Sequence, residues 1–238
     1  MKTLQIILIA LTAFSGCTKK PGAAPSITNN NTNMTATDTL SYLALGDSYT
    51  IGEAVSQDES YPYQLAGALN SSSVHVAPPT IIATTGWTTD NLIAAISRSD
   101  IHAKKYDFVT LLIGVNDQYQ HLSQDNYKTK FAEVLNTAIT FANADSSRVF
   151  VLSIPDWGVT PFAAGQDNVI GPQIDEFNAI NESISKKAGV NYLNITHISR
   201  MAASDLSLIA PDGLHPSGKM YALWVDSLKV MVKARLKK

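Results

Sequence analysis

The chain has 238 residues, a length that fits one domain with a tail. Hydrophobic residues make up 45% and charged residues 16%, so a wholly disordered chain is excluded. The 18 basic and 20 acidic side chains give a formal net charge of −2, which argues against a nucleic-acid-binding protein, and the single cysteine excludes a disulfide framework.

The first 16 residues are predicted to be an export signal. Lys2 gives a short positive start, and the mostly apolar run from Leu4 to Phe14 is shorter than the roughly 20 residues of a membrane-spanning helix. The small residues Ser15 and Gly16 then precede Cys17. This layout resembles a bacterial lipoprotein signal, which implies that a lipid on Cys17 anchors the exported protein to a membrane of the cell envelope. An ordinary signal peptide with a chance cysteine is the alternative.

Residues 17–39 are predicted to be a flexible tether that follows the lipidated cysteine. The segment from Thr18 to Thr39 is rich in Thr, Asn, Pro, Gly and Ala and has neither a helical nor a strand period. The folded domain is therefore expected to occupy residues 40–238.

Apolar runs alternate with amphipathic helical patterns along this domain. Strands are predicted, in chain order, at Tyr42–Leu45, within Val74–Ala83, and at Phe108–Ile113, Val149–Ile154 and Val190–Ile195. Helices are predicted at Tyr61–Asn70, Thr89–Ser97, Asn126–Ala144, Pro172–Ala188 and Gly218–Leu236. Strands that are apolar on both faces and separated by helices predict an α/β fold, with a five-stranded parallel sheet covered on both sides.

The residues that follow the predicted strands carry the chemical information, because ligands of such sheets bind beyond the carboxyl ends of the strands. These positions hold a hydroxyl, an amide, carboxylates and an imidazole, which together are sufficient for acyl transfer. The segments are Gly46-Asp47-Ser48-Tyr49, Thr85-Gly86-Trp87, Gly114-Val115-Asn116-Asp117, Pro155-Asp156-Trp157-Gly158 and Asp212-Gly213-Leu214-His215-Pro216.

Four of these blocks, in this order, resemble the motifs of the SGNH hydrolases, also called GDSL-type esterases and lipases. The blocks are Gly46-Asp47-Ser48, the isolated Gly86, Gly114-x-Asn116-Asp117 and Asp212-x-x-His215-Pro216. The resemblance extends over nearly all of residues 40–238. It implies a flavodoxin-like three-layer α/β/α fold and the hydrolysis of small carboxylic esters through an acyl-enzyme, with neither a cofactor nor a metal. The ester class, whether lipid, carbohydrate acetyl or another small ester, stays open.

Ser48 is the expected nucleophile, His215 the expected general base and Asp212 the carboxylate that orients it. Asp212 lies three positions before His215, so the carboxylate can reach the ring nitrogen that faces away from Ser48. Ser48 has an alternative interpretation as a helix N-cap. The remaining histidines lack a motif and are expected to be ordinary surface or core residues: His75, His102, His121 and His197.

The resemblance assigns the oxyanion hole to the backbone N–H groups of Ser48 and Gly86 and to the side-chain amide of Asn116. The alternatives are an ordinary turn glycine at Gly86 and an Asx-turn at Asn116. Asp47 and Asp117 are expected to be structural, accepting backbone N–H groups around the site.

Several aromatic residues fall in the predicted loops near the same edge of the sheet. They are the candidates for a pocket wall against an acyl chain or a sugar ring, with core packing as the alternative: Tyr49, Trp87, Tyr119, Trp157 and Phe162. The connection from Asp156 to Gly171 is long, and long loops are often lids.

Three other functions are less well supported by the sequence than ester hydrolysis. A near match to a phosphate-binding loop at residues 213–220 fails at Met220, where Ser or Thr is required. Spacing alone leaves paired carboxylates for glycoside cleavage open, but these would leave the Ser, His and Asn set unexplained. The second hypothesis is a non-catalytic envelope lipoprotein that binds a glycan or a protein partner on the same fold.

Overall fold

A computed structural model describes residues 39–236 of the chain. The predicted export signal, Cys17 and nearly all of the predicted tether lie outside these residues. The five strands are β1 (Tyr42–Gly46), β2 (Thr80–Ala83), β3 (Phe108–Leu112), β4 (Val149–Leu152) and β5 (Asn191–Leu193). They form one sheet in the order β2-β1-β3-β4-β5, and each neighbouring pair runs parallel. The predicted five-stranded parallel sheet is confirmed.

Within residues 39–236, eight α-helices connect or follow these strands. Their bounds are α1 Ser48–Ile51, α2 Tyr61–Asn70, α3 Thr89–Arg98, α4 Val115–Tyr119, α5 Gln124–Phe141, α6 Asp167–Ala188, α7 Thr196–Ser199 and α8 Gly218–Leu236. The α2 helix packs against α8, whereas α3, α5 and α6 pack side by side. Helices therefore flank the sheet in the three-layer α/β/α arrangement.

Apolar stripes at helical spacing attach these helices to the sheet. On α5 the residues that recur every three or four positions are buried, as the sequence pattern predicts: Phe131, Val134, Leu135, Ala138 and Phe141. On α8 the buried stripe includes Tyr221 and Trp224, and their rings pack near Tyr61 of α2. The largest side chains of the core thus hold α2 and α8 together.

The α6 helix begins earlier than the sequence pattern predicts. Pro172 suggests a helix start, because proline suits the first turn, but α6 begins at Asp167 and Pro172 lies inside it. The predicted long connection from Asp156 to Gly171 is therefore wrong in length. Its first part contains two short 3-10 turns, Trp157–Val159 and Pro161–Ala163.

The register of the sheet determines where the connecting segments meet. Gly46, the last residue of β1, lies opposite Ala83 of β2 and opposite Leu112 of β3. Three strands thus end side by side. Because the strands are parallel, the segments that follow them leave from the same edge of the sheet.

Candidate active site

Ser48 follows β1 almost directly and is the first residue of α1. Asp47, rather than Ser48, is the N-cap, and its Oδ1 accepts the backbone N–H of Tyr49 at 3.0 Å. The alternative role of Ser48 as the cap is therefore wrong. Only 3% of Ser48 is exposed, but the residue lines a pocket at the edge of the sheet.

Gly46 permits the close packing beneath this turn. A Cβ atom on Gly46 would lie 2.1 Å from Thr50 Oγ1 and 2.4 Å from the carbonyl oxygen of Leu112. The close neighbours of Gly46 are the first turn of α1 and strand β3, so this glycine allows the chain to turn tightly into Ser48.

His215 reaches Ser48 from a loop that precedes α8. An antiparallel bridge joins Ile209 to Pro216, and the N–H of Ala210 donates to the carbonyl of His215 at 2.7 Å. His215 Nε2 lies 3.0 Å from Ser48 Oγ, although the two residues are 167 positions apart in the chain. The imidazole is only 6% exposed.

Asp212 holds the other side of the imidazole. Its Oδ2 lies 2.5 Å from His215 Nδ1, and its Oδ1 accepts the backbone N–H groups of Leu214 and His215, each at 3.0 Å. Partial burial opposes ionisation of this carboxyl, but the hydrogen bonds from His215 and Leu214 outweigh it, and the pKa of Asp212 is lowered from its ordinary value. Hydroxyl, imidazole and carboxylate therefore form one continuous hydrogen-bonded chain.

Asn116 and Gly86 line the pocket that contains Ser48. Asn116 Nδ2 donates one hydrogen to the carbonyl of Trp87 at 3.0 Å, which orients the amide and leaves its second hydrogen for another acceptor. Gly86 has a φ of +81°, in the left-handed region that favours glycine. As the first residue of α1, Ser48 has a backbone N–H without an acceptor inside that helix. The structure thus brings the three predicted oxyanion donors to one pocket.

Two buried carboxyls support the turns around this pocket. The Oδ2 atom of Asp117 accepts the N–H and the hydroxyl of Thr89 at 2.9 and 3.0 Å, which joins α4 to α3. Within the described residues, Asp47 Oδ2 and Asp117 Oδ1 are buried without a hydrogen-bond partner. Burial raises the pKa of Asp47 to about 8 and that of Asp117 to about 6.

The pocket itself has a volume of about 180 Å³ and a mainly apolar wall. Four of the five predicted aromatic candidates line it: Tyr49, Tyr119, Trp157 and Phe162. Tyr49 is buried, with its ring 5.1 Å from the imidazole of His215. Trp87 is outside the pocket, because its half-buried side chain packs against the hydrophobic core.

Several residues that position or line the pocket were not found from the sequence. Thr85, Val115 and Leu214 line it, and each stands beside a predicted motif residue. Gln118 was also missed. Its Oε1 accepts the indole N–H of Trp157 at 2.8 Å, so it fixes one aromatic wall, and no sequence pattern indicated this contact.

An ion pair fixes the segment that carries Trp157. Buried Asp156 accepts the N–H of Gly158 at 2.8 Å through Oδ1, and its Oδ2 accepts from Arg200 Nε, also at 2.8 Å. Arg200 also donates to Asp175 of α6 at 2.8 Å. The start of the predicted lid is therefore tied to α6 and to the segment after α7.

The other four histidines do not line the pocket of Ser48. His102 Nε2 lies 3.0 Å from the carbonyl of Ser97, and His121 lines an adjoining cavity. Between residues 39 and 236, no three His, Cys, Asp or Glu side chains cluster so that they could hold a metal ion. Over the same range, no helix combines the length and apolarity needed to cross a membrane.

Ser48, His215 and Asp212 thus form one hydrogen-bonded chain at the edge of the parallel sheet. The model of the GDSL-like lipase/acylhydrolase family matches residues 44–223. The chain belongs to this family and is a carboxylic ester hydrolase. A comparison with curated protein sequences finds no match.

Solved structures share the fold at low sequence identity. The structure of TesA has a TM-score of 0.66 at 15% identity, with 82% of this chain and 99% of that chain covered. The psychrotrophic esterase EstA from Pseudoalteromonas sp., inhibited by monoethylphosphonate, has a TM-score of 0.63 at 18% identity, with coverages of 84% and 100%. Axe2, an acetylxylan esterase from Geobacillus stearothermophilus, has a TM-score of 0.63 at 15% identity, with coverages of 81% and 94%.

Proposed function

We propose that the protein is a serine esterase that cleaves small carboxylic esters through an acyl-enzyme on Ser48. The observation that carries this proposal is the chain of contacts from Ser48 Oγ through the imidazole of His215 to the carboxylate of Asp212. The elements of this chain are the nucleophile, the general base and the orienting group that acyl transfer requires.

In the proposed first half-reaction, Ser48 Oγ attacks the ester carbonyl while His215 Nε2 accepts the hydroxyl proton. Because Asp212 accepts a hydrogen bond from Nδ1–H, it keeps Nε2 unprotonated and stabilises the imidazolium that forms. The imidazolium then donates its proton to the departing alcohol oxygen, which leaves the acyl group on Ser48. A water molecule, deprotonated by the same Nε2, releases the acid and restores the Ser48 hydroxyl.

Negative charge develops on the carbonyl oxygen at each addition step. We propose that the backbone N–H groups of Ser48 and Gly86 and Nδ2 of Asn116 donate to this oxygen. Prepositioned donors of this kind are effective because they need no reorganisation during the reaction. The bond between Asn116 and the Trp87 carbonyl supports the role, since it fixes the amide before substrate binds.

The 180 Å³ pocket favours small acyl groups. Its volume lies below the range of about 300–1,000 Å³ that is usual for drug-sized ligands. Tyr49, Tyr119, Trp157 and Phe162 are the proposed substrate contacts, and Trp87 is not proposed as one.

Ser48→Ala tests this function, with Ser71→Ala at the exposed end of α2 as the matched control. Release of p-nitrophenol from its acetate should fall by at least about 10³-fold in Ser48→Ala and stay unchanged in the control. An alkyl p-nitrophenyl phosphonate should add its phosphonyl mass to Ser48 of the wild-type protein and not to the alanine variant. Full turnover by folded Ser48→Ala would contradict the mechanism. A folded wild-type protein that is inert toward all ester chain lengths would favour the binding hypothesis.

We also propose that Cys17 carries the lipid anchor and places the esterase at the cell envelope. The support is the order of Lys2, the apolar run, Ser15-Gly16 and Cys17. Full-length protein expressed in a bacterium should fractionate with membranes and carry a diacylglyceryl mass on Cys17. Cys17→Ala should lose both. Membrane association that survives this substitution without a lipid mass would contradict the proposal.

A further inference from the structure

A second cavity adjoins the pocket of Ser48, on the other side of an aromatic wall formed by Tyr119, Trp157 and Phe162. These three residues line both spaces. The second cavity has a volume of about 420 Å³, within the range of about 300–1,000 Å³ for small-molecule sites. Its remaining lining residues are Gln118, His121, Ala163, Gln166, Val169, Ile170 and Gln173.

The aromatic wall is held in place before any ligand binds. The Trp157 ring lies 5.4 Å from the Tyr119 ring and 6.1 Å from the Phe162 ring, both edge to face. Gln118 accepts the indole N–H of Trp157 and donates to Gln173 Oε1 of α6 at 2.7 Å. Tyr119 and Phe162 are 50% and 51% exposed, so the wall also presents aromatic surface to solvent.

The polar side-chain groups that line the second cavity are neutral amides, an imidazole, the hydroxyl of Tyr119 and the indole N–H of Trp157. Gln173 uses its Oε1 to hold Gln118, and its Nε2 donates to no residue within 39–236. The described residues that line this cavity include no Lys, Arg, Asp or Glu. A phosphate or sulfate group would find no cation there. A fatty acyl chain would cover the amide groups and leave them without hydrogen bonds, which is costly.

A sugar ring has the complementary chemistry. Its C–H face can pack on exposed aromatic rings while its hydroxyls exchange hydrogen bonds with neutral amides. We propose that the cavity bounded by Tyr119, Trp157, Phe162 and Gln173 is a subsite for the sugar of a carbohydrate ester, with the short acyl group in the pocket of Ser48. This inference rests on the proposed esterase function and specifies its substrate class.

The test compares a sugar ester with an ester of the same acid that lacks a sugar. The probes are methyl 6-O-acetyl-glucoside, methyl 2-O-acetyl-xyloside and p-nitrophenyl acetate, with acetate release measured for all three. The variants are Gln173→Ala and Phe162→Ala, and the matched control is Gln124→Ala at the exposed start of α5. For at least one sugar acetate, kcat/KM relative to that for p-nitrophenyl acetate should fall about tenfold in Gln173→Ala, the size expected for one lost neutral hydrogen bond.

Phe162→Ala should lose the preference for a sugar acetate over p-nitrophenyl acetate. Phe162→Trp keeps an aromatic face and should retain that preference. Unchanged ratios for both sugar acetates in Gln173→Ala and Phe162→Ala would overturn the proposal. It would also be overturned if Gln173→Ala, whose residue lines the second cavity and not the pocket of Ser48, instead changes the preference between p-nitrophenyl acetate and octanoate, because that cavity would then hold an acyl chain. Either result leaves the esterase mechanism intact, since both are measured on turnover of p-nitrophenyl esters that Ser48→Ala should abolish.

Discussion

Ser48 Oγ and His215 Nε2 lie 3.0 Å apart, and one belongs to the turn after the first strand while the other lies in the loop before the last helix. In the proposed mechanism neither residue acts on an ester alone, because the hydroxyl needs a proton acceptor and the imidazole accepts the proton of a nucleophile. The proposed reactivity therefore depends on tertiary structure that joins distant parts of the chain.

Asn116→Ala should lower kcat for p-nitrophenyl acetate by about 10²–10³-fold, the usual cost of one oxyanion donor. The free energy of unfolding should change little, because the side chain makes a single hydrogen bond, to the carbonyl of Trp87. Asn136→Ala on the exposed face of α5 is the control. Steady-state kinetics together with urea unfolding separate the two effects, and full turnover in Asn116→Ala would remove this residue from the oxyanion hole.

Asp212→Asn should lower kcat by about 10⁴-fold, because an amide stabilises neither the required tautomer of His215 nor its protonated form. In the wild-type protein the lowered pKa of Asp212 keeps the carboxylate ionised from pH 5 to 8. Steady-state kinetics at pH 7, where the wild-type carboxylate is ionised, measure this loss. Turnover equal to that of the wild-type protein would count against Asp212 as the orienting carboxylate.

The buried carboxyl of Asp47 should make the protein less stable as the pH rises. Its pKa is about 8 in the folded state and near 3.8 ordinarily, so between these values the folded chain binds a proton that the unfolded chain has released. The free energy of unfolding should then fall with rising pH, by at most about 1.4 kcal/mol per pH unit from this group. Asp117 adds to the effect up to about pH 6.

Asp47→Asn removes this titration, so unfolding in urea at pH 5, 6, 7 and 8 should show a smaller loss of stability than in the wild-type protein. Asp58→Asn, at an exposed position, should keep the wild-type dependence. Equal slopes in Asp47→Asn and in the wild-type protein would show that Asp47 does not retain its proton in the fold.

Gly46→Ala should destabilise the protein by about 3 kcal/mol or more, because the new methyl group would overlap Thr50 and the backbone of Leu112. Gly67→Ala is a matched control, since a Cβ there meets nothing within 4 Å and the residue lies inside α2. That variant should gain about 0.5–1 kcal/mol. Chemical unfolding of both variants measures these changes. An unchanged free energy of unfolding in Gly46→Ala would mean that β1 and β3 can separate at no cost.

The sequence pattern predicted the bounds of two long helices well, misplaced the start of a third and did not predict the shortest helices. The bounds of α2 and α8 match the prediction at both ends, because each begins and ends where the apolar period does. The short helices α1, α4 and α7 have at most five residues, too few to show a period. The start of α6 was misplaced because Pro172 resembles a first-turn proline although it lies within the helix.

Ser48, Gly86 and Asn116 could be placed at the pocket because each closely follows a strand, and His215 because of its spacing from Asp212. The residues that support them could not be predicted in this way. Sequence proximity to Gly86 suggested Trp87 as a pocket residue, yet its side chain packs against the core. Gln118 follows Asp117 on α4, and its side chain accepts a hydrogen bond from Trp157, which lies 39 positions later in the chain. Only the packing of α4 against its neighbours reveals such a partner.

All five strands precede His215 in the chain, and Ser48 follows the first of them. A ribosome therefore synthesises Ser48 early, and the five strands of the described sheet before His215. If Ser48 and His215 act together as proposed, the nascent polypeptide carries a serine without its base until the loop before α8 has been made and has folded onto the sheet. We therefore expect ester cleavage to wait until synthesis of the chain is nearly complete.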